Sequence, residues 1–172
     1  MDPWRPLQRL GAMALALGLL DVARLFRPIP EILLDLPSAI ASLVAAWMLL
    51  RRRSCAFVTT SVCGGVIVAD ALVSLVLIGP LLWQVLTRSL DESPASAREA
   101  LAIVIPWMLL YGFQLVFWPY AVSRVMRDQR AAGIPEAYTR HTRATVIGGF
   151  FICGWISLVV QLVAKVVVFS LV

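Results

Sequence analysis

A nearly uncharged run covers residues 54–87 and reads SCAFVTTSVCGGVIVADALVSLVLIGPLLWQVLT, with Asp70 as its single charged side chain. About 20 apolar residues of α-helix cross the hydrocarbon core of a bilayer, and few soluble folds need a longer run. The run therefore predicts a transmembrane helix. Asp70 lies close to its middle, where an uncompensated carboxylate costs about 3 kcal/mol or more. Another group in the fold must compensate that charge.

The whole chain has the composition of a membrane protein. Of its 172 residues, 60% are hydrophobic and the mean hydropathy is +0.87, whereas soluble domains are about 45–50% apolar. The formal net charge is +5, but the arginines lie mostly between the apolar runs, where charges set topology. We therefore expect one transmembrane domain over residues 1–172, no separate soluble domain and no nucleic-acid partner.

Five apolar runs predict an all-α fold, a bundle of about five transmembrane helices. The predicted spans cover residues 10–26, 32–50, 56–79, 100–123 and 144–165. Pro28 and Pro30 predict a tight turn between the first two spans, and Pro80 is expected to kink or end the third. We expect residues 88–98 to form a polar loop and residues 127–143 to form a basic cytoplasmic loop.

Positive charges predict the orientation, because Lys and Arg concentrate in cytoplasmic loops. If the N-terminus is cytoplasmic, ten arginines lie inside and four lie outside. The inner ones are Arg5, Arg9, Arg51, Arg52, Arg53, Arg124, Arg127, Arg130, Arg140 and Arg143, and the outer ones are Arg24, Arg27, Arg88 and Arg98. We therefore predict an N-in, C-out topology.

Asp70 is a candidate functional residue because no basic residue shares its helix within two turns. Three compensations are open: protonation, hydrogen bonds from a side chain such as Gln114 in the fourth span, or a cation from another helix or protomer. Lys165 fits only if the fifth span is shifted, since it otherwise lies near the outer boundary. Asp70 and Gln114 are thus the candidates for binding an ion or a ligand.

A second group of charges is predicted near the outer face. Asp21 and Arg24 lie one turn apart on the first span, and Asp35 enters the second span at a similar depth. A local salt bridge that helps two marginal spans to insert explains the cluster, with Arg24 extending to the interface. The functional alternative is a polar mouth for an ion or a lipid headgroup.

Small residues in the fifth span predict a packing face. Gly149 and Cys153 have the small-x-x-x-small spacing that lets helix backbones approach closely in lipid, inside the monomer or between protomers. Trp47 and Trp118 are expected in the inner interfacial belt. Trp155 lies in mid-span, and we expect it in core packing rather than in ligand stacking.

Motifs for catalysis and metal binding are absent from the sequence. It contains no Gly-rich phosphate loop, no H-E-x-x-H and no G-x-S-x-G, and its three cysteines form no C-x-x-C pair. Intramembrane aspartyl chemistry needs two carboxylates at one depth, and Asp70 is predicted to lie deeper than Asp21 or Asp35. We expect no enzyme activity, no cofactor and no metal.

Two motifs carry a family resemblance. Residues 51–53 read RRR at the end of the second span, and residues 117–125 read FWPYAVSRV at the end of the fourth. Over residues 7–127 this order of features resembles the small bacterial inner-membrane proteins of domain-of-unknown-function family 2569. The resemblance implies a multi-pass protein of the bacterial cytoplasmic (inner) membrane, and it implies no activity, cofactor or site.

These inferences predict a small, non-catalytic inner-membrane protein that acts as an accessory or assembly subunit. Its expected partners are membrane lipids and either another membrane protein or a second copy of itself. The alternative is a small transporter or channel that uses Asp70.

Overall fold

Five α-helices make up the described part of the chain. The computed structural model describes residues 5–24, 32–51, 56–91, 94–131 and 136–171, with side chains over most of those ranges. The helices are α1 (Arg5–Arg24), α2 (Ile32–Leu50), α3 (Ala56–Asp91), α4 (Pro94–Ala131) and α5 (Glu136–Leu171). No strand occurs in these ranges, so the all-α prediction is confirmed.

Four helices contain segments that are long and apolar enough to cross a membrane. These segments are Arg5–Ala23, Ala56–Leu77, Val104–Arg127 and Ala144–Val167. Helix α2 contributes a shorter apolar segment, Leu36–Leu50. The prediction of a polytopic membrane protein is therefore confirmed, whereas its N-in, C-out orientation stays a prediction.

Helices α3, α4 and α5 extend beyond their apolar segments. Each has at least 36 residues, which corresponds to about 54 Å of helix against a hydrocarbon core of about 30 Å. Parts of the two predicted loops are helical: residues 88–91 and 94–98 of the first, and residues 127–131 and 136–143 of the second. The loop predictions were too long because Ala, Arg, Gln and Glu in these polar segments are strong helix formers.

Pro80 and Pro94 both lie within helices without interrupting them. Helix α3 continues through Pro80 to Asp91, so of the two predicted effects of this proline the helix end is wrong and the kink stays a prediction. Prolines are tolerated inside membrane helices because neighbouring groups and small local adjustments satisfy the freed backbone carbonyls. Pro94 is the first residue of α4, where its missing N–H would have had no partner within the helix.

Helix α3 is central in the bundle. It packs against α2, α4 and α5, whereas α1 packs mainly against α2. Helices α1 and α2 are antiparallel, because Gly11 lies against Leu50 near one end of the pair and Gly18 lies against Leu43 further along. The order of contacts thus places α1, α4 and α5 around α2 and α3, each of the three held chiefly by one neighbour.

Helices α3 and α5 run parallel. Near their N-terminal ends the Ser61 hydroxyl donates a hydrogen bond to the carbonyl oxygen of Val146. Further along both helices, the Lys165 ammonium contacts the Asp70 carboxylate. These polar contacts at two levels fix the register of α5 along α3.

Glycine at position 65 permits the closest approach of α3 and α5. A Cβ atom on Gly65 would overlap the carbonyl oxygen of Phe150 and would lie 3.1 Å from the backbone nitrogen of Gly154. Both neighbours are backbone atoms, so they cannot rotate away as a flexible side chain could. The contact therefore requires that residue 65 has no side chain.

The predicted packing pair, Gly149 and Cys153, lies close to this contact. A Cβ atom on Gly149 would lie 3.3 Å from Val62 of α3, and Cys153 is half-buried. The tightest backbone contact is at Phe150, the residue after Gly149, and Gly154, the residue after Cys153, lies next closest to Gly65. Small residues of α5 thus pack against α3 within one chain, and a contact between protomers stays a prediction.

Candidate functional site

Asp70 and Lys165 form an ion pair inside the bundle. The Lys165 Nζ donates hydrogen bonds to Asp70 Oδ1 over 2.8 Å and to Ser74 Oγ over 2.6 Å. Asp70 and Ser74 lie one turn apart on α3, so both face the same part of α5. The Asp70 side chain is fully buried and that of Lys165 is 6% exposed. We call these three residues the α3–α5 cluster.

The structure shows the third of the predicted compensations for Asp70, a cation from another helix. Lys165 lies only two residues before the end of the candidate span Ala144–Val167, as the sequence predicts. However, Asp70 lies two-thirds of the way along the span Ala56–Leu77, not at its centre. Since helical side chains lean towards the N-terminus, the long Lys165 side chain extends back into the bilayer and reaches the acid.

A second cluster surrounds Asp21, where α1, α2 and α4 meet. The Gln114 Nε2 lies 3.0 Å from both carboxylate oxygens of Asp21 and donates to them. The Ser42 hydroxyl donates to Asp21 Oδ2 over 3.3 Å. All three side chains are fully buried. We call these residues the α1–α2–α4 cluster.

The structure places the predicted site residues in different groups from those expected. Gln114, one of the possible donors to Asp70, instead donates to Asp21, so the predicted Asp70–Gln114 site is not formed. Asp21 faces the inside of the bundle rather than forming part of an exposed mouth. The side chains of Arg24 and Asp35 lie outside the described residues, so the predicted outer cluster of Asp21, Arg24 and Asp35 stays a prediction.

Two tryptophans, Trp118 and Trp155, differ from the sequence-based expectation. Trp118, expected in the inner interfacial belt, is fully buried and packs against Gly64 of α3. Trp155, expected in the core, is 67% exposed. Trp47 is exposed near the end of α2, where an interfacial tryptophan belongs. The helix faces could not be assigned from the sequence because apolar residues lie on several faces of both α4 and α5.

The described cavities are apolar grooves that open on the outer surface of the bundle. One lies between α3 and α5, has a volume of about 220 Å³, and is bordered by Gly65, Gly154 and Trp155. The other lies between α2 and α3, has a volume of about 430 Å³, and is bordered by Ile40 and Val66 among others. Neither groove is lined by a residue of the two polar clusters.

The chemistry of the described side chains follows from these arrangements. In the α3–α5 cluster the opposite charges neutralise each other, so a buried acid is tolerated at moderate cost. In the α1–α2–α4 cluster, amide and hydroxyl donors satisfy the buried carboxyl group. Among the described residues, no three His, Cys, Asp or Glu side chains lie close enough together to hold a metal ion.

Fold and site together define a polytopic all-α membrane protein with two internal polar clusters. Comparisons with protein-family models, with curated proteins and with solved structures find no match to this chain. The resemblance to domain-of-unknown-function family 2569 therefore stays a prediction.

Proposed function

We propose that this protein is a non-catalytic assembly subunit that binds another integral membrane protein through α5. In this proposal, the polar clusters hold the bundle together and the outer face of α5 contacts the partner. Its placement in the bacterial cytoplasmic membrane rests on the family resemblance. The proposed partners are the surrounding lipids and one different membrane protein.

The exposed indole of Trp155 is the observation that carries this proposal. Trp155 is the twelfth of the 24 residues in the candidate span Ala144–Val167, and it is 67% exposed. Tryptophan favours the membrane interface, where its N–H finds polar partners, and is less suited to the centre of the hydrocarbon core. A protein surface packed on α5 would cover the ring and would offer an acceptor to the N–H.

Helix α5 also has the largest free surface of the candidate spans. Only 11% of its span is buried inside the bundle, against 61% of the span in α3. Phe151, one turn before Trp155, is 59% exposed and adds a second aromatic ring to this surface. Aromatic side chains are enriched at the centres of protein interfaces, which supports a protein partner.

Both buried acids that the structure describes have bonding partners inside the bundle, which supports a structural role for the interior. Asp70 is paired with Lys165, and Asp21 accepts hydrogen bonds from Gln114 and Ser42. The described grooves have almost entirely apolar walls, so they suit lipid chains or apolar side chains better than ions. These contacts favour a protein that acts through its outer surface.

Site-specific photo-crosslinking in living cells tests the proposal. A photoreactive phenylalanine analogue replaces Trp155 in one variant and Val116 in the control, since Val116 is 72% exposed on α4. We expect one reproducible adduct with a different protein from position 155 and none from position 116. Absence of an adduct at 155, or an adduct only with a second copy of the chain, would contradict the proposal.

A transporter or channel that uses Asp70 is the second candidate function. It is favoured by one observation: among the described residues, Asp70 Oδ2 is fully buried and accepts no hydrogen bond. That oxygen could take up a proton or contact a small cation. Proteoliposomes loaded with a pH-sensitive dye, or with Na⁺ or K⁺ gradients, test this function. Flux that is lost in Asp70→Asn would support transport, and wild-type vesicles without flux would count against it.

A further inference from the structure

The groove between α2 and α3 has the features of a binding site for a lipid chain. Its walls include Pro37, Ile40 and Val44 on α2, and Val62 and Val66 on α3. Its volume is about 430 Å³ and its surface is almost entirely apolar. Because it opens sideways from the bundle, it is accessible from the hydrocarbon core. An acyl chain can therefore enter it without crossing a polar barrier.

A cationic side chain lies on the same face of α2 beyond one end of this groove. The Arg51 guanidinium lies 4.4 Å from the centre of the Trp47 ring, and both side chains are exposed. Ile40, Val44, Trp47 and Arg51 follow one another at spacings of three or four residues, which places them along one face of the helix. The groove therefore points along this face towards the Arg51 side chain.

The distance along α2 matches the dimensions of one bilayer leaflet. Arg51 follows Ile40 by eleven positions, which corresponds to about 17 Å of helix at 1.5 Å per residue. Half of a hydrocarbon core is about 15 Å thick. A phospholipid whose headgroup contacts Arg51 would thus have its acyl chain at the level of the groove.

The charge at this end of the bundle selects an anionic headgroup. Arg51 is the first of three consecutive arginines in the sequence, and the exposed Arg9 lies on the part of α1 that packs against the end of α2. The two acidic side chains that the structure describes, Asp21 and Asp70, are both buried in the polar clusters. Among the side chains that the structure describes, the charges near Arg51 are therefore positive, and no exposed acidic side chain lies beside them.

We infer that the α2–α3 groove and Arg51 form a binding site for an anionic phospholipid. One acyl chain occupies the groove, and the phosphate of the headgroup contacts the guanidinium of Arg51. Trp47 holds that guanidinium in place by a cation–π contact. Its ring also covers the part of the acyl chain that is nearest to the headgroup. The inference does not depend on the proposed function, because it uses no residue of α5 or of the polar clusters.

Native mass spectrometry of the purified full-length protein tests the headgroup contact. Phosphatidylglycerol and phosphatidylcholine with identical acyl chains are titrated separately into the detergent-solubilised protein. We expect tighter binding of phosphatidylglycerol, and a loss of about fivefold in its affinity for Arg51→Gln, as one arginine near a membrane surface contributes. Arg127→Gln, which removes an exposed arginine from the end of α4, is the control and should leave the affinity nearly unchanged.

A second pair of variants tests the groove itself. Val44→Trp fills the groove and leaves Arg51 in place, and its matched control, Val116→Trp, adds the same ring to an exposed site on α4. We expect Val44→Trp to remove the tightly bound phosphatidylglycerol and Val116→Trp to retain it. Equal losses in Arg51→Gln and Arg127→Gln would overturn the inference, since charge alone would then explain binding. Retention of the lipid by Val44→Trp, or equal binding of phosphatidylcholine, would also overturn it.

Discussion

Substitutions at Asp70 and Lys165 are predicted to be strongly coupled. Asp70→Asn removes the anion and leaves the Lys165 cation buried, whereas Lys165→Met removes the cation and leaves a buried carboxylate beside Ser74. Breaking a buried ion pair by removing one partner typically costs about 3–5 kcal/mol. Each single variant should therefore lower the free energy of unfolding by at least about 3 kcal/mol.

The double variant, Asp70→Asn with Lys165→Met, should lose much less free energy of unfolding than the sum of the losses in the two single variants. It has no charge at either position, and the amide introduced by Asp70→Asn lies one turn from the Ser74 hydroxyl, which has lost its Lys165 donor. The remaining cost is that of imperfectly bonded polar groups, about 1–3 kcal/mol. Two independent substitutions would instead cost about 6–10 kcal/mol together. We therefore expect a coupling energy of at least about 3 kcal/mol between the two positions.

Reversible unfolding in mixed detergent micelles or by steric trapping in bicelles measures these free energies. The matched control is Val163→Met, which introduces the same side chain at an exposed position of α5 and should change stability by less than about 0.5 kcal/mol. Additivity of the two single substitutions within about 0.5 kcal/mol would refute the reasoning, because a pair in contact cannot be additive.

Three further predictions concern helix packing, the second cluster and topology. Gly65→Ala should destabilise the bundle by about 1–3 kcal/mol, because the new methyl group meets backbone atoms of α5. Gly112→Ala, where a Cβ would meet nothing within 4 Å, should instead stabilise α4 by about 0.5–1 kcal/mol. The same unfolding assay compares the two glycine variants, and equal effects would be inconsistent with the close approach of α3 and α5 at Gly65. Gln114→Leu should cost about 1.5–3 kcal/mol, since Asp21 loses a donor, and full stability of this variant would show that Asp21 has other adequate donors. An enzyme reporter that is active only outside the cytoplasm should be active when fused after Val172, and an inactive fusion would argue against the C-out topology.

The helices were predictable from the sequence, but the contacts between them were only partly so. The run around Asp70 is apolar for longer than a bilayer is thick, and this single property identifies α3 as a membrane helix. Counting residues from the ends of apolar runs placed Lys165 too far from Asp70. The error arose because counting locates Cα atoms, whereas a lysine carries its charge several ångströms from the backbone.

The partner of Asp21 could not be predicted for a different reason. Gln114 and Asp21 are separated by 93 residues and lie on helices that have few other contacts. Hydrophobic periodicity shows which residues are apolar, but it does not show which helices are neighbours in a bundle with apolar residues on every face. For the same reason the buried Trp118 and the exposed Trp155 could not be distinguished.

The two polar clusters connect different helices of the bundle. The α1–α2–α4 cluster joins α1 to α4, which otherwise have little contact, and the α3–α5 cluster fixes the outermost part of α5. Polar contacts are useful for this purpose in lipid, because hydrocarbon tails are as apolar as leucine and leave little hydrophobic driving force between helices. In this way α5 can remain attached while most of its apolar surface faces outward.

The central claim is that the Asp70–Lys165 pair holds α5 in the position in which it binds the partner. The most direct test is the yield of the adduct that a photo-crosslinker at position 155 forms. Its yield is measured in the wild-type background, in Asp70→Asn, in Lys165→Met and in the double variant. We expect both single variants to lose most of the adduct, because an unpaired buried charge loosens the packing of α5 on α3, and the double variant to recover it. A double variant that forms as little adduct as the single ones, or single variants that form as much as the wild type, would contradict this role of the pair.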